Sequence, residues 1–296
     1  MDAYLASLVS VIGINMILAL SLTIITGFCG QVSLGHAAFY GIGAYATVML
    51  SPADGPGSIA LLLPAAAGCA ALYALFVGAF SLRTKGVYFI MVTLAFAQMA
   101  YFVFHDTKFG GGTDGIYLNF PPVVGDAAKP LLDSGDKPTL YRLAAGVLIA
   151  TYALLALLRR SRFGHALAGI RVNEQRMRAA GFPTTLYKLA AFVIGGALAG
   201  VAGFLVAAKD GVVNPELLSW HVSGEVMLVI ILGGLGHLRG AVIGAVAFVL
   251  LKEGLSNPAL LGRVAEHWQL TLGFTVIVFV ALLPKGLIGA LQRSKA

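Results

Sequence analysis

Along a chain dominated by apolar side chains, the groups able to trade hydrogen bonds with a solute gather in Thr26-Gly27-Phe28-Cys29-Gly30-Gln31-Val32-Ser33-Leu34-Gly35-His36, which runs on through Gly41 and Gly43. Gln31, Ser33 and His36 place donors and acceptors where apolar residues are the default, and the glycines let a helix break or let backbones approach closely. Non-helical backbone at membrane depth is tolerated only inside protein or along a cavity. One reading is therefore a broken or re-entrant segment with Gln31, Ser33 and His36 facing a solute path. The other is helix packing by Gly and Ser, with a histidine hydrogen-bonded in the core. Thr93 and Gln98 lie inside another apolar run. An amide buried without partners costs roughly 1 to 3 kcal/mol, so Gln98 must face other helices or water, as packing glue or as a wall of the path.

No catalytic set accompanies these groups. His105, His165, His221, His237 and His267 fall in different loops without an HExxH pair, and Ser33 near His36 lacks a third member. Phe109-Gly110-Gly111-Gly112-Thr113-Asp114-Gly115-Ile116 lacks the Lys and Ser/Thr of a phosphate loop, so Gly112, Thr113 and Asp114 read as a tight turn at a pathway mouth or as a docking or gating element. With no P-loop, no cofactor is expected on this chain, and ATP with its Mg must be handled by another. Cys29 and Cys69 have apolar, small neighbours and read as membrane-core thiols. Two rival classes are poorly served. A secondary transporter or channel usually buries ionisable residues in its pathway, whereas Glu225 and Glu253 fall near segment ends. An intramembrane protease has only Ser33 with His237 to draw on.

These residues must be positioned by membrane-spanning elements. The 296 residues are 58% hydrophobic and 11% charged, against about 25% charged in soluble proteins, and the mean hydropathy is +0.88. The composition predicts an all-α, polytopic integral membrane protein forming one domain over 1–296. Nine apolar segments are expected at about 5–26, 34–50, 59–80, 87–104, 140–158, 189–208, 222–235, 241–255 and 270–283. Turn-rich loops at 51–58, 105–138 and 257–267 separate them. With the N-terminus outside (periplasmic), the inside (cytoplasmic) set holds thirteen basic residues (Arg83, Lys85, seven between Arg159 and Lys188, Arg239, Lys285, Arg293 and Lys295) against the single acid Glu174. The outside set keeps the other acids, among them Asp2, Asp54, Asp106, Asp114, Asp126, Asp133 and Asp136. That asymmetry predicts N-out and C-in, if 222–255 breaks into two crossings around Gly233-Gly234-Leu235-Gly236-His237-Leu238-Arg239-Gly240. The net charge of +7 sits at membrane boundaries, so topology explains it better than nucleic acid.

An internal echo supports that break. Leu34-Gly35-His36, Ile42-Gly43-Ala44 and Ala46 recur without a gap at Leu235-Gly236-His237, Ile243-Gly244-Ala245 and Ala247. The match is either the common vocabulary of membrane helices or a structural repeat of the kind transporters often carry.

The basic island 159–188 contains its own helix signals. Asn173 can cap a helix over Glu174, Gln175, Arg176, Met177, Arg178, Ala179 and Ala180, which Gly181 and Pro183 end. A short helix parallel to the membrane, offering Met177 and Ala180 to a partner, is expected there, with Arg159, Arg160 and Arg162 mainly holding the membrane side. The alternative is a loop that only anchors topology.

Five ordered blocks then resemble a known family: Gly30-Gln31-Val32-Ser33-Leu34-Gly35-His36-Ala37-Ala38-Phe39, Arg83-Thr84-Lys85-Gly86-Val87-Tyr88-Phe89, Gly111 to Gly115, Ser161-Arg162-Phe163-Gly164 through Gly181, and Gly233 to Gly236. Over nearly its full length the chain resembles the permease subunits of ABC importers for branched-chain amino acids, of the M type. The resemblance implies a bacterial inner-membrane subunit working by alternating access with a homologous permease, two cytoplasmic ATPases and a periplasmic solute-binding protein. It implies that Asn173 to Gly181 is the coupling helix seated on an ATPase. The general importer signature puts an acid at position 175, where this chain has Gln175, with Glu174 one place earlier.

Overall fold

In the computed structural model residues 3–126, 129–257, 262, 267–283 and 286–293 are described. Asp2, Lys285 and Lys295, used above to weigh charge across the membrane, lie outside the described residues. The chain folds as α1 (Ala3–Leu22), a π-helical turn (Thr23–Phe28), α2 (His36–Met49), α3 (Ile59–Ser81), α4 (Val87–Asp106), α5 (Lys137–Arg160), α6 (Arg162–Val172), α7 (Glu174–Ala179), α8 (Thr184–Asp210), α9 (Trp220–Gly233), α10 (Leu238–Ser256), α11 (Trp268–Leu282) and α12 (Gly286–Arg293). Four short strands, β1 (Ile116–Tyr117), β2 (Val123–Asp126), β3 (Lys129–Asp133) and β4 (Val212–Val213), interrupt an otherwise helical protein.

Six helical stretches are long and apolar enough to cross a bilayer: Ala6–Phe28, Ile59–Ser81, Val87–Asp106, Lys137–Arg160, Thr184–Asp210 and one beginning at Trp268. α9 and α10 pass the same test only together and are bent by 115° at their break, so the described residues hold six such spans, or up to seven. The nine expected from hydropathy include α2 and α9, each of 14 residues. At 1.5 Å per residue each is about 21 Å long, short of a hydrocarbon core of about 30 Å. Both short helices adjoin the glycine-rich breaks that carry the internal echo.

α8 sits at the centre, with 72% of its most apolar stretch buried, followed by α1 at 67%; α3, α4 and α5 are the outer helices, at 28% or less. The centre is held by small residues. A Cβ on Gly43 of α2 would run into the backbone of Gly200 on α8, one on Gly203 into the carbonyl of Tyr40, and one on Gly196 into the Ala74 side chain of α3. Ala66, Ala70 and Ala74 recur every fourth residue on α3 and face α8 fully buried. With lipid on the outside as apolar as leucine, close approach and van der Waals contact provide the adhesion between such helices. Phe39, Phe192 and Phe204 fill the space around these contacts.

The connections sort to two ends. At one end Ile116 pairs with Val213 in an antiparallel ladder, Ser58 bridges Val123, and Tyr45 Oη donates to Gly110 O at 3.3 Å. At the other end the turn at Gly30, the start of α4 and helices α6 and α7 surround one cavity. Gly203→Leu places a side chain where the Tyr40 carbonyl stands, and overpacking of this kind costs about 1 to 3 kcal/mol or more. A lowered thermal midpoint in detergent is expected. Gly146→Ala on α5, whose added methyl meets nothing within 4 Å, should instead hold or raise it, by about 0.5 to 1 kcal/mol.

Candidate functional site

α1 does not run directly into a loop. Its last turn widens into the π-helical segment, after which Cys29 N donates to Ile24 O (3.3 Å) and Gln31 N to Ile25 O (3.2 Å). Gly30 at φ +72° turns the chain, and residues up to Gly35 stay non-helical until α2 begins at His36. Gly35 packs against the middle of α4, where a Cβ would lie 2.8 Å from the Thr93 carbonyl. α2 therefore starts about two turns in from the end of α4, and extended backbone penetrates to that depth. π turns of this kind concentrate at functional sites.

The candidate path residues divide at this break. Gln31 lines a cavity of about 500 Å³, together with Lys85, Val87, Ile90 and Arg171. Ser33 and His36 are fully buried and satisfy local structure instead. Ser33 Oγ accepts from Gly35 N (3.2 Å), shaping the turn. His36 Nε2 lies 2.6 Å from Ser21 Oγ, which itself donates to Leu18 O (2.7 Å), so the ring donates from Nε2 and ties α2 to α1. Thr93 is buried with Oγ1 on Ile90 O (3.0 Å), and Gln98 is half-buried on α4. Of the five, the structure brings Gln31 alone to the wall of this cavity, because the hydroxyls and the imidazole Nε2 find partners within the helix bundle, where His36 Nδ1 is buried without one among the described residues. Ser223 on α9 completes the start of α2, its Oγ accepting from Ala37 N at 2.9 Å and so capping a helix 186 residues away in sequence.

The cavity is closed on its polar side by the island, which folds into two helices. Ser161 caps α6, its Oγ accepting from Gly164 N (3.3 Å), and α6 buries Ala166, Leu167 and Ile170 against the bundle. Arg171, one residue beyond that apolar stripe, reaches back so that Nη1 donates to the Gly27 carbonyl at the π turn. Its side chain occupies the space left by two glycines: a Cβ on Gly30 would stand 3.0 Å from Arg171 Cγ, and one on Gly236 2.7 Å from Arg171 Nη1. Gly27 and Gly236 also touch, at 3.1 Å for a Cβ on Gly27. One guanidinium thus bridges the break after α1 and the break between α9 and α10.

α7 begins as its sequence signals require, with Asn173 Oδ1 accepting from Arg176 N at 2.9 Å, and Gly181 at φ +84° ends it. Glu174 does not point outward. Its carboxylate accepts from Lys188 Nζ (2.6 Å), Arg178 Nη2 (2.6 Å) and Thr184 Oγ1 (3.3 Å), pinning α7 to α8. Partial burial pushes this carboxyl up, but the hydrogen bonds and charges of Lys188 and then Arg178 outweigh it and hold it below its ordinary value of 4.5. Met177, expected to face a partner, packs inward instead: a Cβ on Gly169 of α6 would stand 2.8 Å from its sulfur. The outward face of the pair carries Gln175, Arg176, Ala179, Ala180 and Val172, the last 84% exposed.

At the opposite end, Gly112, Thr113 and Asp114 form a 3₁₀ turn between Gly111 (φ +75°) and Gly115 (φ +74°), with Thr113 and Asp114 exposed. Gly115 lies so close to Val213 that a Cβ would meet its carbonyl, so the turn is fastened to the end of α8.

Comparison with known proteins places this geometry. The family model described as "Branched-chain amino acid transport system / permease component" matches residues 4–282. The chain belongs to this permease family. It is 30% identical to the high-affinity branched-chain amino acid transport system permease protein LivM of Salmonella typhimurium, over 93% of this chain and 68% of that protein. To LivH of Escherichia coli it is 25% identical over 94% of this chain and 92% of that one. The xylose transport system permease protein XylH of Escherichia coli is 29% identical over 42% of this chain. No solved structure matches.

In this permease the residues that sequence reasoning passed over are Arg171, Lys188, Thr184 and Ser223. Lys188 carried a faint signal, a cation at the start of a long apolar helix with one acid in reach. Arg171 and Ser223 carried none, since their partners lie 144 and 186 residues away. Because the Glu174 carboxyl is held below 4.5, its ionised form stabilises the docking of α7 at neutral pH, and that contribution is lost as pH falls through the depressed value. The protection of α7 amides, their exchange rate taken relative to the intrinsic rate at each pH, is expected to fall on acidification through that range, and Glu174→Gln to show low protection at both pH values.

Proposed function

We propose that this permease forms one half of the membrane pathway of an ATP-driven importer for branched-chain amino acids or a closely related small solute. It would stand in a bacterial inner membrane with a homologous permease, two cytoplasmic ATPases and a periplasmic solute-binding protein, itself binding no ATP. Family membership supports the permease role. The branched-chain class follows the relatives that align over more than 90% of the chain, in preference to the xylose permease that aligns over less than half.

The observation that carries the coupling mechanism is the Arg171 bridge. α6 and α7 form a hairpin whose outer face, Gln175, Arg176, Ala179, Ala180 and Val172, is free, and whose inner face is clamped by Glu174 and Met177. In this reading an ATPase grips the outer face and moves the hairpin as a rigid piece. Arg171 transmits that movement to Gly27 and Gly236, the two breaks beside the cavity lined by Gln31. Closure of the ATPases would then switch access from the outer turn at Gly112, Thr113 and Asp114 to the inner cavity, with Gln31 and Gln98 as solute-facing amides. In this reading the chain makes nine alternating passes, N-terminus periplasmic and C-terminus cytoplasmic, with α2 and α9 crossing as short helices completed by their extended breaks.

Uptake of labelled leucine into proteoliposomes carrying the full complex, measured beside ATP hydrolysis, tests the reading. Losing a hydrogen bond from a charged donor costs about 1.5 to 3 kcal/mol. Arg171→Ala is therefore expected to lower uptake about tenfold or more while hydrolysis persists, and Ala179→Trp on the outer face to abolish co-purification of the ATPase. Uptake without ATP, or an ATPase that still co-purifies with Ala179→Trp, would point to a transporter that is not ATP-driven or to another docking surface.

A further inference from the structure

A second cavity is larger than the one beside Gln31. It measures about 1050 Å³, lies between α5, α6, α10 and α12, and is lined at its rim by Arg159, Arg160, His165, His237 and Arg239 and deeper by Tyr152, Ala156, Ile243 and Ile288. Among the described residues no acid lines it, and Arg159, Arg160 and Arg239 have no ion pair. The positive-inside tendency accounts for basic residues at helix ends. It does not account for three arginines from two separate helices converging on one concave site. The first turn of α10 opens at the same rim, and its N-cap His237 makes no side-chain cap. Its free N–H groups add to the positive potential there.

The lower wall has a distinct chemistry. Tyr152, Ala156 and Arg159 to Arg160 follow one face of α5 at spacings of four and three to four, so an apolar stripe about 12 Å long descends from the arginines toward the middle of the bilayer. Ile243 on α10 and Ile288 on α12 face the same hollow. A free phosphate would use the rim and leave the stripe empty. A molecule with an anionic head and an acyl tail uses both.

We propose that this cavity is a binding site for an anionic phospholipid, its headgroup phosphate held by Arg159, Arg160 and Arg239 and one acyl chain lying along Tyr152, Ala156 and Ile243. His165 belongs to α6, so the headgroup would touch the hairpin that moves in the proposed mechanism, and bound lipid would favour one position of it. The site itself is read from this geometry, and its effect on the hairpin rests on the function proposed above. Its assignment to the cytoplasmic leaflet rests on the orientation proposed above.

The test uses the full-length chain as it purifies from membranes in mild detergent, with phosphatidylglycerol and phosphatidylcholine of matched acyl chains as probes, read by native mass spectrometry. Wild type is expected to carry one tightly held phosphatidylglycerol in preference to phosphatidylcholine. At about fivefold per lost arginine contact near a headgroup, Arg159→Gln with Arg239→Gln should weaken that adduct about 25-fold, and Arg159→Lys with Arg239→Lys should largely keep it. The lysine pair also guards against misfolding as the cause of a loss. Equal binding of the two lipids, an adduct unchanged in the glutamine pair, or displacement of the lipid by millimolar inorganic phosphate would overturn the proposal. So would a glutamine pair that loses the ATPase but keeps its lipid, which would make the cluster a protein-docking surface. Because the lipid measurement needs no transport, its failure would leave the importer reading standing, and a failure of uptake would leave the lipid site standing.

Discussion

Everything in this permease is built around the backbone contact of α2, α8 and α3. Gly43, Gly196, Gly200 and Gly203 have no room for a single methyl group, because each faces the main chain or an alanine of a neighbouring helix. In lipid the hydrophobic effect does not drive helices together, so contact area and close approach must do so. A helix packed at that distance has little freedom to tilt or slide independently. α2, α3 and α8 therefore pack as one body to which the other elements are attached.

That constraint explains why α2 is short. A helix pressed on two sides by glycine and alanine faces is fixed in depth, and it begins at Gly35, against the middle of α4. The chain arriving from α1 must cover the remaining distance without helix, and the π turn and Gly30 supply the bend. The backbone groups freed by the break need partners, since none can be left unsatisfied at this depth. Gly27 O receives the Arg171 guanidinium and Ala37 N finds Ser223. The elbow between α9 and α10 uses the same device: a Cβ on Gly233 would strike the Gly240 carbonyl, and one on Gly244 the Val229 carbonyl. The internal echo thus marks two helix breaks, and the breaks touch each other at Gly27 and Gly236.

Much of this was legible in the residues. The long apolar runs, the turn-rich loop at 51–58, the break at 233–240 and the capped helix at 174–179 rest on local signals, and each appears in the structure, while most of the loop expected at 257–267 lies outside the described residues. The count of spans was less legible, because hydropathy registers an apolar run of 14 residues whether or not it is long enough to cross. α6 was missed because Arg162, Gly164 and His165 hide an amphipathic turn inside a basic stretch. Strand β1 has two residues and pairs with β4 far along the chain, which leaves no periodicity to detect, while β2 and β3 pair locally across a register shift that breaks their alternation. Among the candidate path residues, type was a poor guide to exposure. Ser33, His36 and Thr93 are as polar as Gln31, yet the bundle buries them and partners the Ser33 and Thr93 hydroxyls and His36 Nε2, leaving only His36 Nδ1 without a partner among the described residues.

From the sequence alone followed the membrane class, the permease family, the capping of α7 and the fact that polar residues cluster near one helix break, because composition, spacing and caps are properties of neighbours along the chain. Only the tertiary structure decided which of those residues face space, that Glu174 and Met177 turn inward, and that Arg171 spans two breaks. Those outcomes depend on how closely glycine faces on distant helices approach, and backbone approach is a property of pairs of elements that no single stretch of sequence contains.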